Sequence, residues 1–584
     1  MTALCTFSNR ADADASSRHS FTWHAVNWQK AIETVRRLQV RIVKATQAGK
    51  WRKVRALQRL LTRSFSAKLL AVKRVTENQG ARTAGIDGEL WDTPQKKRRG
   101  VEQLAQRPYR ARPLRRIYIP KTNGKKRPLG IPTMRDRAQQ ALHLLALDPI
   151  AETTGDANSY GFRRERSPVD AISQCFKILH RSGSAHWILE GDIKGCFDHI
   201  SHDWLLEHIP LDKHILQEWL KAGYVEQSAF HLTDAGTPQG GIASPGLANM
   251  TLDGLETQLR NRYPLRSGKR VNLVRFADDF IITACSKELL EGEIVPLVEV
   301  FLQERGLQLS REKTQITHID DGFDFLGQTI RKYKGKLLIK PSAQSRKRLL
   351  TKVRQIIKTE GRYLSAYGLI QRLNSPSFEA FFGPTITAMF VSKQTFARID
   401  SEIFRSLWRQ LMTQTSQAIS LWTYKRYFVS PETDSLAYTT AIRRGRKQNR
   451  HLPLPSTTPV HPTTCQGEAK ANPYDPAWEI YFEHDRTTRS QTNSGVDRSC
   501  SNSGDDNAAS VPPANNASPK KLAGTCIISF PRFMAEENQR TSSSFIPTAI
   551  GKSIALITKA RRCVLHRAFE VLEPYAGKLA RMVL

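Results

Sequence analysis

Hydrophobic positions recur at helical spacing through the first part of the chain. Between Trp23 and Asn78, apolar residues repeat every three or four positions and are separated by Lys and Arg. The residues before them are small and polar and lack this period. The pattern predicts a disordered tail at 1–22 and a basic helical region at 23–110. Within that region, the run KKRRG at 96–100 predicts a basic loop.

Short apolar strands then alternate with helical segments. The sequence RIYIP at 116–120 predicts a strand, and a turn connects it to a second short strand. The segment WILEGD at 187–192 predicts a buried strand that ends on a carboxylate. Two further strands, at 271–275 and 280–283, enclose the sequence FADD in the pattern of a hairpin. This mixture predicts an α/β domain at 111–340.

Helical periodicity returns at 341–430. One apolar stripe there consists of Phe396, Ile399, Ile403, Leu407, Trp408 and Leu411. Three arginines, Arg398, Arg405 and Arg409, fall on the opposite side of the same helix. They form either a solvated face or a contact surface for a polyanion.

Beyond Pro431 the periodicity fails. We expect a linker or DNA-binding region at 431–486, followed by a low-complexity linker at 487–546. The segment 487–521 contains no aromatic residue and no Leu, Ile or Met, so it cannot bury a core. Helical character resumes in pieces at 547–584.

The charge balance narrows the choice of partners. The 584 residues include 89 Lys and Arg against 54 Asp and Glu, which gives a formal net charge of +35. This indicates a polyanionic partner, most simply nucleic acid, although a basic surface can also serve solubility alone. We find no apolar run of the roughly 18 residues that a membrane span needs, no hydrophobic signal core and no C-x-x-C pair. These features predict a cytoplasmic protein with reduced thiols and no membrane contact.

Three carboxylates occupy positions suited to metal binding. Asp278 and Asp279 lie at the tip of the predicted hairpin, and Asp192 ends another predicted strand. Magnesium prefers oxygen ligands and usually binds one or two carboxylates together with substrate phosphates. Two such ions would stabilise both the attacking and the leaving oxygen of an in-line phosphoryl displacement. An Asp-Asp pair by itself is more often a surface turn, so the surrounding segments decide between the two interpretations.

Those surrounding segments carry a family resemblance. The motifs, in chain order over about 210 residues, are RIYIPK at 116–121, RPLGIP at 127–132, SYGFR at 159–163, DIKGCFD at 192–198, GTPQGGIASP at 236–245, FADD at 276–279, GLQLSREKT at 306–314 and FDFLG at 323–327. Together they resemble the reverse transcriptases encoded within group II introns, which are also called maturases. The resemblance extends from about Trp23 to Phe428.

The resemblance implies an α+β fold, namely a right-hand polymerase with fingers and palm at 111–340. It also implies a basic helical N-terminal extension, a helical thumb or maturase domain X, and a partly disordered C-terminal region. Asp192, Ile193 and Asp278 are implied as ligands of two Mg²⁺ ions. Asp279 is implied as the third catalytic carboxylate.

Five residues are implied to contact the incoming nucleotide. Phe197 matches the position of a steric gate, where an aromatic ring clashes with a ribose 2′-hydroxyl; an ordinary core phenylalanine is the alternative. Gln239 and Gly240 would face the nucleotide. Lys125 and Arg127 would neutralise its triphosphate, although both could equally lie at a solvated hairpin tip.

The resemblance implies that the thumb grips intron RNA. The residues we assign to this contact are Lys393, Arg398, Arg405 and Arg409. The segment 374–383 departs from the family, because relatives usually read Asn-Pro and then Arg-Gly-Trp there.

The C-terminal region departs further. Residues 471–482 are similar to the segment that leads into the family's HNH endonuclease, and 571–581 are similar to its tail. Between them no spacing of His and Cys suits a metal site. We therefore expect 547–584 to be an endonuclease remnant without endonuclease activity.

The leading hypothesis is an RNA-directed DNA polymerase that also assists the splicing and mobility of its intron. Its expected partners are intron RNA in a ribonucleoprotein, an RNA template with a DNA primer, dNTPs and target DNA. One alternative is a non-catalytic splicing factor with a vestigial polymerase. A second alternative is a homing DNA endonuclease.

Overall fold

The computed structural model describes most of the N-terminal two thirds of the chain and short pieces beyond. The described residues are 21–120, 124, 126–364, 366–374, 393–414, 435–443, 446–453, 471–479 and 481–483. All of them belong to one compact unit. Most of the predicted tail at 1–22, the linker at 487–546 and the endonuclease remnant at 547–584 lie outside these residues. None of the described helices is long and apolar enough to cross a membrane.

Helices and strands are both well represented, as the sequence predicts. The described helices are α1 (Trp28–Gln47), α2 (Trp51–Arg63), α3 (Phe65–Glu77), α4 (Pro94–Gln103), α5 (Met134–Thr154), α6 (Pro168–Leu179), α7 (Cys196–His199), α8 (His202–His208), α9 (Lys213–Leu220), α10 (Ser244–Leu252), α11 (Leu255–Arg262), α12 (Lys287–Leu289), α13 (Val295–Gln303), α14 (Ala343–Gln355), α15 (Ala366–Leu373) and α16 (Lys393–Gln414). The described strands are β1 (Leu114–Pro120), β2 (Lys126–Ile131), β3 (Trp187–Asp192), β4 (Tyr224–Glu226), β5 (Ala229–His231), β6 (Asn272–Phe276), β7 (Asp279–Ala284), β8 (Gln315–His318), β9 (Phe323–Phe325), β10 (Gln328–Tyr333), β11 (Lys336–Pro341), β12 (Ser435–Arg443) and β13 (Arg446–Pro453).

The basic N-terminal helices are built on their apolar stripes. α1, α2 and α3 pack on α5 through one buried cluster that includes Ile42, Leu61, Val72 and Leu142. Lys and Arg alternate with these apolar positions, so they point outward; Arg41 is one example. The helical prediction for this region is therefore confirmed, and its helices share a core with the α/β part of the chain.

The prediction of a basic loop at 96–100 is wrong. These residues lie in α4, where the Thr93 hydroxyl accepts a hydrogen bond from the Lys96 amide at 3.3 Å and Pro94 follows as the first helical residue. Both features favour a helix start. Gly100 lies against the Trp91 ring, which an added Cβ would meet at 2.7 Å. The charge run therefore occupies the exposed side of a helix that tertiary packing stabilises.

A four-stranded antiparallel sheet in the order β6-β7-β3-β8 carries the three carboxylates. Alternate residues of its strands point to opposite faces. Leu189 and Ile282 join one buried cluster with α8–α11 and α13, whereas Ile188 and Ile281 join another with α6 and strands β9–β11. The sheet is covered on both faces, which makes its strand ends a rigid base for a site.

The other strands of this region form two further sheets. β2-β1-β4-β5 form a sheet whose first strand pair is an antiparallel hairpin, as predicted for 116–120 and the strand that follows. β11-β10-β9 form a three-stranded antiparallel sheet. The first of them brings β2 toward the carboxylates.

The predicted helical region after residue 341 is confirmed where it is described. α14, α15 and α16 bury a common cluster that includes Leu349, Ile370, Phe396, Ile399 and Ile403. The described part of the apolar stripe of α16, from Phe396 to Trp408, thus faces the core, as its spacing predicts.

The region 431–486 contains structure that the sequence did not predict. β12 and β13 form an antiparallel hairpin whose backbone lies next to α15. Farther along, residues 471–483 return to the N-terminal half, where Tyr474 and Phe482 are buried.

Candidate active site

The end of β3 and the β6–β7 hairpin bring the predicted carboxylates together. Asp192 ends β3 and lies directly opposite Asp279, the first residue of β7. Opposed residues of adjacent antiparallel strands project their side chains from the same face. Asp278 lies one residue before Asp279, in the turn that joins β6 to β7. The hairpin prediction is therefore confirmed, and three carboxylates meet at one edge of the sheet.

The turn itself has an unusual backbone. Phe276 pairs with Asp279, so Ala277 and Asp278 form a two-residue loop, and Ala277 has a φ of 58°. A positive φ is uncommon for a residue with a Cβ and requires support from the surroundings. Gly161 supplies part of that support, because an added Cβ there would lie 2.3 Å from the Ala277 nitrogen. The SYGFR motif therefore contributes a backbone surface on which the carboxylate turn rests.

Beneath the turn lies a buried arginine. Arg275 is only 1% exposed and forms an ion pair with Asp253. Its guanidinium also donates to Asn249 Oδ1 at 3.1 Å and to the Ala277 carbonyl at 3.3 Å. Since the Ala277 carbonyl belongs to the loop that carries Asp278, Arg275 fixes the loop from inside the protein.

The negative charges of the three carboxylates repel one another. Burial raises the pKa of Asp278, and the nearby charge of Asp192 raises it further. Burial, together with the charges of Asp278 and Asp192, raises the pKa of Asp279 to about 7. One side of Asp279 is exposed to solvent, but the protein atoms packed around its other sides desolvate the carboxylate. Crowded like charges of this kind favour a bound cation.

One lysine compensates part of this charge. The Lys313 ammonium donates to a carboxylate oxygen of Asp192, and this hydrogen bond raises the pKa of Lys313. Lys313 lies in the GLQLSREKT motif, 121 residues from Asp192. The motif can be recognised in the sequence, but the contact cannot be predicted from it, because spacing alone does not show which motif residue reaches the carboxylates.

The donor set is compatible with magnesium. Within the described part of the chain, no three side chains of His, Cys, Asp or Glu are close enough to form a complete metal site by themselves. Magnesium does not require one, because it commonly takes one or two carboxylates and fills its other positions with phosphate oxygens and water. Asp192 and Asp278 are suitable carboxylates. Ile193 can act only through its backbone carbonyl, which takes no part in the bridge that Ile193 forms with Leu309.

Four of the five residues assigned to the nucleotide are described, and they lie around this edge. Arg127 is on β2 and is near enough to Asp278 for its charge to offset part of the rise in the pKa of that carboxyl. Phe197 is 9% exposed and shares the lining of a small cavity with Asp278. Gln239 and Gly240 lie in the loop before α10, and Gly240 has a φ of 118°. Lys125 lies outside the described residues.

The residues assigned to RNA lie apart from the carboxylates, on α16. Arg398, Arg405 and Arg409 are exposed on the side opposite the buried stripe, and Arg405 forms an ion pair with Glu402 at 3.1 Å. Lys393 begins the helix, and its side chain is outside the described set. An exposed basic helix face is compatible with RNA and equally with solvent.

Comparisons with known proteins agree with this geometry. A family model described as reverse transcriptase (RNA-dependent DNA polymerase) matches residues 119–330, which include all three carboxylates. A second, described as the N-terminal domain of reverse transcriptase, matches residues 23–104. These matches imply the palm and fingers of a polymerase fold.

Individual relatives point the same way. Protein YkfC of Escherichia coli is 33% identical over 320 residues, which cover 47% of this chain and 83% of YkfC. The group II intron-encoded protein LtrA of Lactococcus lactis is 33% identical over 348 residues, 48% of this chain but only 57% of LtrA. Maturase-like protein 1 of Euglena gracilis is 23% identical over 64% of this chain and 82% of its own length. With its motifs in order and its carboxylates assembled, the chain belongs to the family of group II intron reverse transcriptases and maturases.

Proposed function

We propose that the protein is an active RNA-directed DNA polymerase that also binds intron RNA. The observation that carries this proposal is the meeting of Asp192, Asp278 and Asp279 at one supported strand edge. A protein that only binds RNA has no use for three mutually repelling carboxylates, two of them at a turn that a buried arginine fixes. Their arrangement suits a phosphoryl-transfer site instead.

Each residue has a distinct task in this proposal. Asp192, Asp278 and the Ile193 carbonyl would hold two Mg²⁺ ions, with Asp279 beside them. When bound, these ions would supply charge stabilisation for the attacking primer 3′-hydroxyl and the departing pyrophosphate. Arg127 would neutralise the triphosphate of the incoming dNTP from the fingers side, together with Lys125. Phe197 would exclude the ribose 2′-hydroxyl.

The remaining partners follow from the charge distribution and the family. Template RNA paired with a DNA primer would lie across the basic cleft and be held mainly through its phosphates. Intron RNA would contact the basic helices, including the exposed arginines of α16. Target DNA would be the site into which the copied intron is inserted.

Primer extension on an RNA template tests the polymerase directly. We expect Asp278→Ala to abolish extension, because the variant loses a metal ligand, and to leave intron RNA affinity unchanged. Asp321→Ala, at an exposed turn outside the site, is the matched control and should extend normally. A residual rate within about tenfold of wild type corresponds to only about 1.4 kcal/mol and would reject the assignment. The same result would favour the alternative of a non-catalytic splicing factor.

A further inference from the structure

The short helix α7, which carries the proposed steric gate Phe197, is joined to the loop that carries Gln239. The Thr237 amide donates to the Phe197 carbonyl at 2.6 Å, and the Gly236 amide donates to the Ile200 carbonyl at 2.8 Å. The two segments are about 40 residues apart in sequence. Backbone hydrogen bonds therefore hold the gate and the loop as one unit.

Glycine is required where the two segments touch. Gly236 has a φ of 84°, and an added Cβ would lie 2.6 Å from the carbonyl oxygens of both Phe197 and Asp198. Both neighbours are backbone atoms, which cannot rotate away. The contact is thus close enough that a movement of the loop would also move the gate.

A side-chain contact completes this joint. Gln239 Nε2 donates to both carboxylate oxygens of Asp198, at 2.9 and 3.0 Å. A carboxylate can only accept hydrogen bonds, so the amide nitrogen of Gln239 must face Asp198 and its oxygen must face away. The rotamer of Gln239 is therefore set by its neighbour.

The other side of the loop is also anchored. The Gln239 carbonyl accepts a hydrogen bond from the Gly130 amide of β2 at 2.7 Å. Gln140 Oε1 accepts from the Ile242 amide at 2.8 Å. With the backbone held by β2 and α5, the freedom that remains belongs to the Gln239 side chain, and Asp198 is the group that restrains it.

We infer that Asp198 is a positioning residue for nucleotide selection, acting through Gln239 rather than on the nucleotide itself. It orients the Gln239 amide beside Phe197, so that a deoxyribonucleotide meets a preformed pocket. Asp198 is not among the residues that we propose as metal ligands, and it is exposed. This inference rests on the proposed polymerase function and adds a determinant of its sugar specificity.

A double-mutant cycle between Asp198 and Gln239 tests the inference. Single-nucleotide extension on an RNA template is measured with dATP and with ATP for wild type, Asp198→Ala, Gln239→Ala and the double variant. We expect Asp198→Ala to raise the KM for dATP about tenfold, with kcat within about threefold of wild type. Preference for dATP over ATP should fall by a similar factor. In the Gln239→Ala background, Asp198→Ala should change KM less than about twofold, because the group through which it acts is gone.

Two further variants separate positioning from general damage. Asp198→Asn keeps one acceptor oxygen and should lie closer to wild type than Asp198→Ala. Asp203→Ala, at an exposed aspartate nearby, should behave as wild type. Binding of dATP to a complex with a dideoxy-terminated primer gives the same comparison without turnover.

The outcomes distinguish this inference from the proposed function. An inactive wild-type enzyme would reject the proposed function. An active wild type with an unaffected Asp198→Ala variant would reject the inference alone. So would a full tenfold effect of Asp198→Ala in the Gln239→Ala background, since Asp198 would then act independently of Gln239.

Discussion

At the scale of single residues, the carboxylate turn depends on groups that carry no chemistry. Arg275 is the strongest example, because it fixes the turn through the Ala277 carbonyl while paired with Asp253 inside the protein. Removing one partner of a buried ion pair commonly costs about 3–5 kcal/mol. A substitution of Arg275 would therefore disturb both the carboxylate turn and the stability of the fold, and an activity assay could not separate the two effects.

Gly161 offers a cleaner test of the same support. In Gly161→Ala the new methyl group would meet backbone atoms of Ala277 and Phe276, so the turn must shift. We expect the extension rate to fall about a hundredfold, since displacements of about 1 Å can have that effect on a catalytic group. Overpacking should cost about 1–3 kcal/mol of stability, which leaves the variant folded. Single-turnover extension and thermal unfolding measure the two effects.

The matched control is Gly292→Ala. Apart from its own helix backbone and its neighbours in the chain, no atom lies within 4 Å of the Cβ that this substitution adds. It should retain wild-type extension and stability. A Gly161→Ala variant with the wild-type rate would show that the turn tolerates displacement and does not rely on the SYGFR motif.

The sequence predicted which three carboxylates come together better than it predicted their partners. Asp192, Asp278 and Asp279 could be identified because each sits at the end of a recognisable strand or in a known motif. The contacts of Lys313 with Asp192 and of Gln239 with Asp198 join positions 121 and 41 residues apart. Such pairs are created by tertiary folding, which local patterns do not encode.

At the scale of elements, two segments adopt a secondary structure that their composition does not predict. The basic run in α4 resembles a loop by composition, but a capping threonine and the Trp91–Gly100 contact stabilise a helix. The β12–β13 hairpin has a strand sequence as polar as RKQNRHLP, without the alternation that marks a half-buried strand. α4 also packs on α3 and α5, and the β12–β13 hairpin lies next to α15, so both elements depend on contacts outside their own residues.

The described residues of 471–483 pack against the N-terminal half of the chain, although their sequence predicts a linker. Asn472 donates to Thr153 at 3.1 Å, and the Tyr474 hydroxyl donates to Asp148 at 3.4 Å. Glu479 adds an exposed ion pair with Arg36 at 2.6 Å. The segment therefore ties the region after the β12–β13 hairpin to α1 and α5.

We expect Tyr474→Ala to destabilise the protein through lost packing. Tyr474 is 5% exposed, and truncating a buried aromatic side chain commonly costs about 3–5 kcal/mol. The thermal unfolding midpoint should fall by at least about 5 °C. Tyr363→Ala is the matched control, because Tyr363 is 88% exposed and should be neutral. Equal midpoints for the two variants would show that 471–483 is not docked in solution.

At the scale of the whole molecule, the exposed basic faces of the described helices are separate from the carboxylates, although Lys313 and Arg127 lie beside the acidic site. Exposed Lys and Arg line the outer sides of α1 and α2, and three arginines lie on the exposed side of α16. The carboxylates lie instead at a supported edge of the central sheet. In the proposed function, a polyanion would bind over this basic surface while the phosphate that reacts would meet the acidic residues.

This separation predicts the salt dependence of intron RNA binding. With a formal charge of +35, the logarithm of affinity should fall steeply and linearly with the logarithm of salt concentration, at a slope that corresponds to at least about six phosphate contacts. Affinity should then drop by about a thousandfold or more between roughly 50 and 200 mM salt, measured by filter binding. Replacing Arg398, Arg405 and Arg409 together by Gln should reduce the slope by up to about three, since each phosphate contact contributes about one. Asp278→Ala should leave the slope unchanged, because Asp278 is not part of the basic surface. A flat salt response in the wild type would mean that the charge serves solubility alone. An unchanged slope in the triple variant would show that the α16 arginines are solvated and do not contact the RNA.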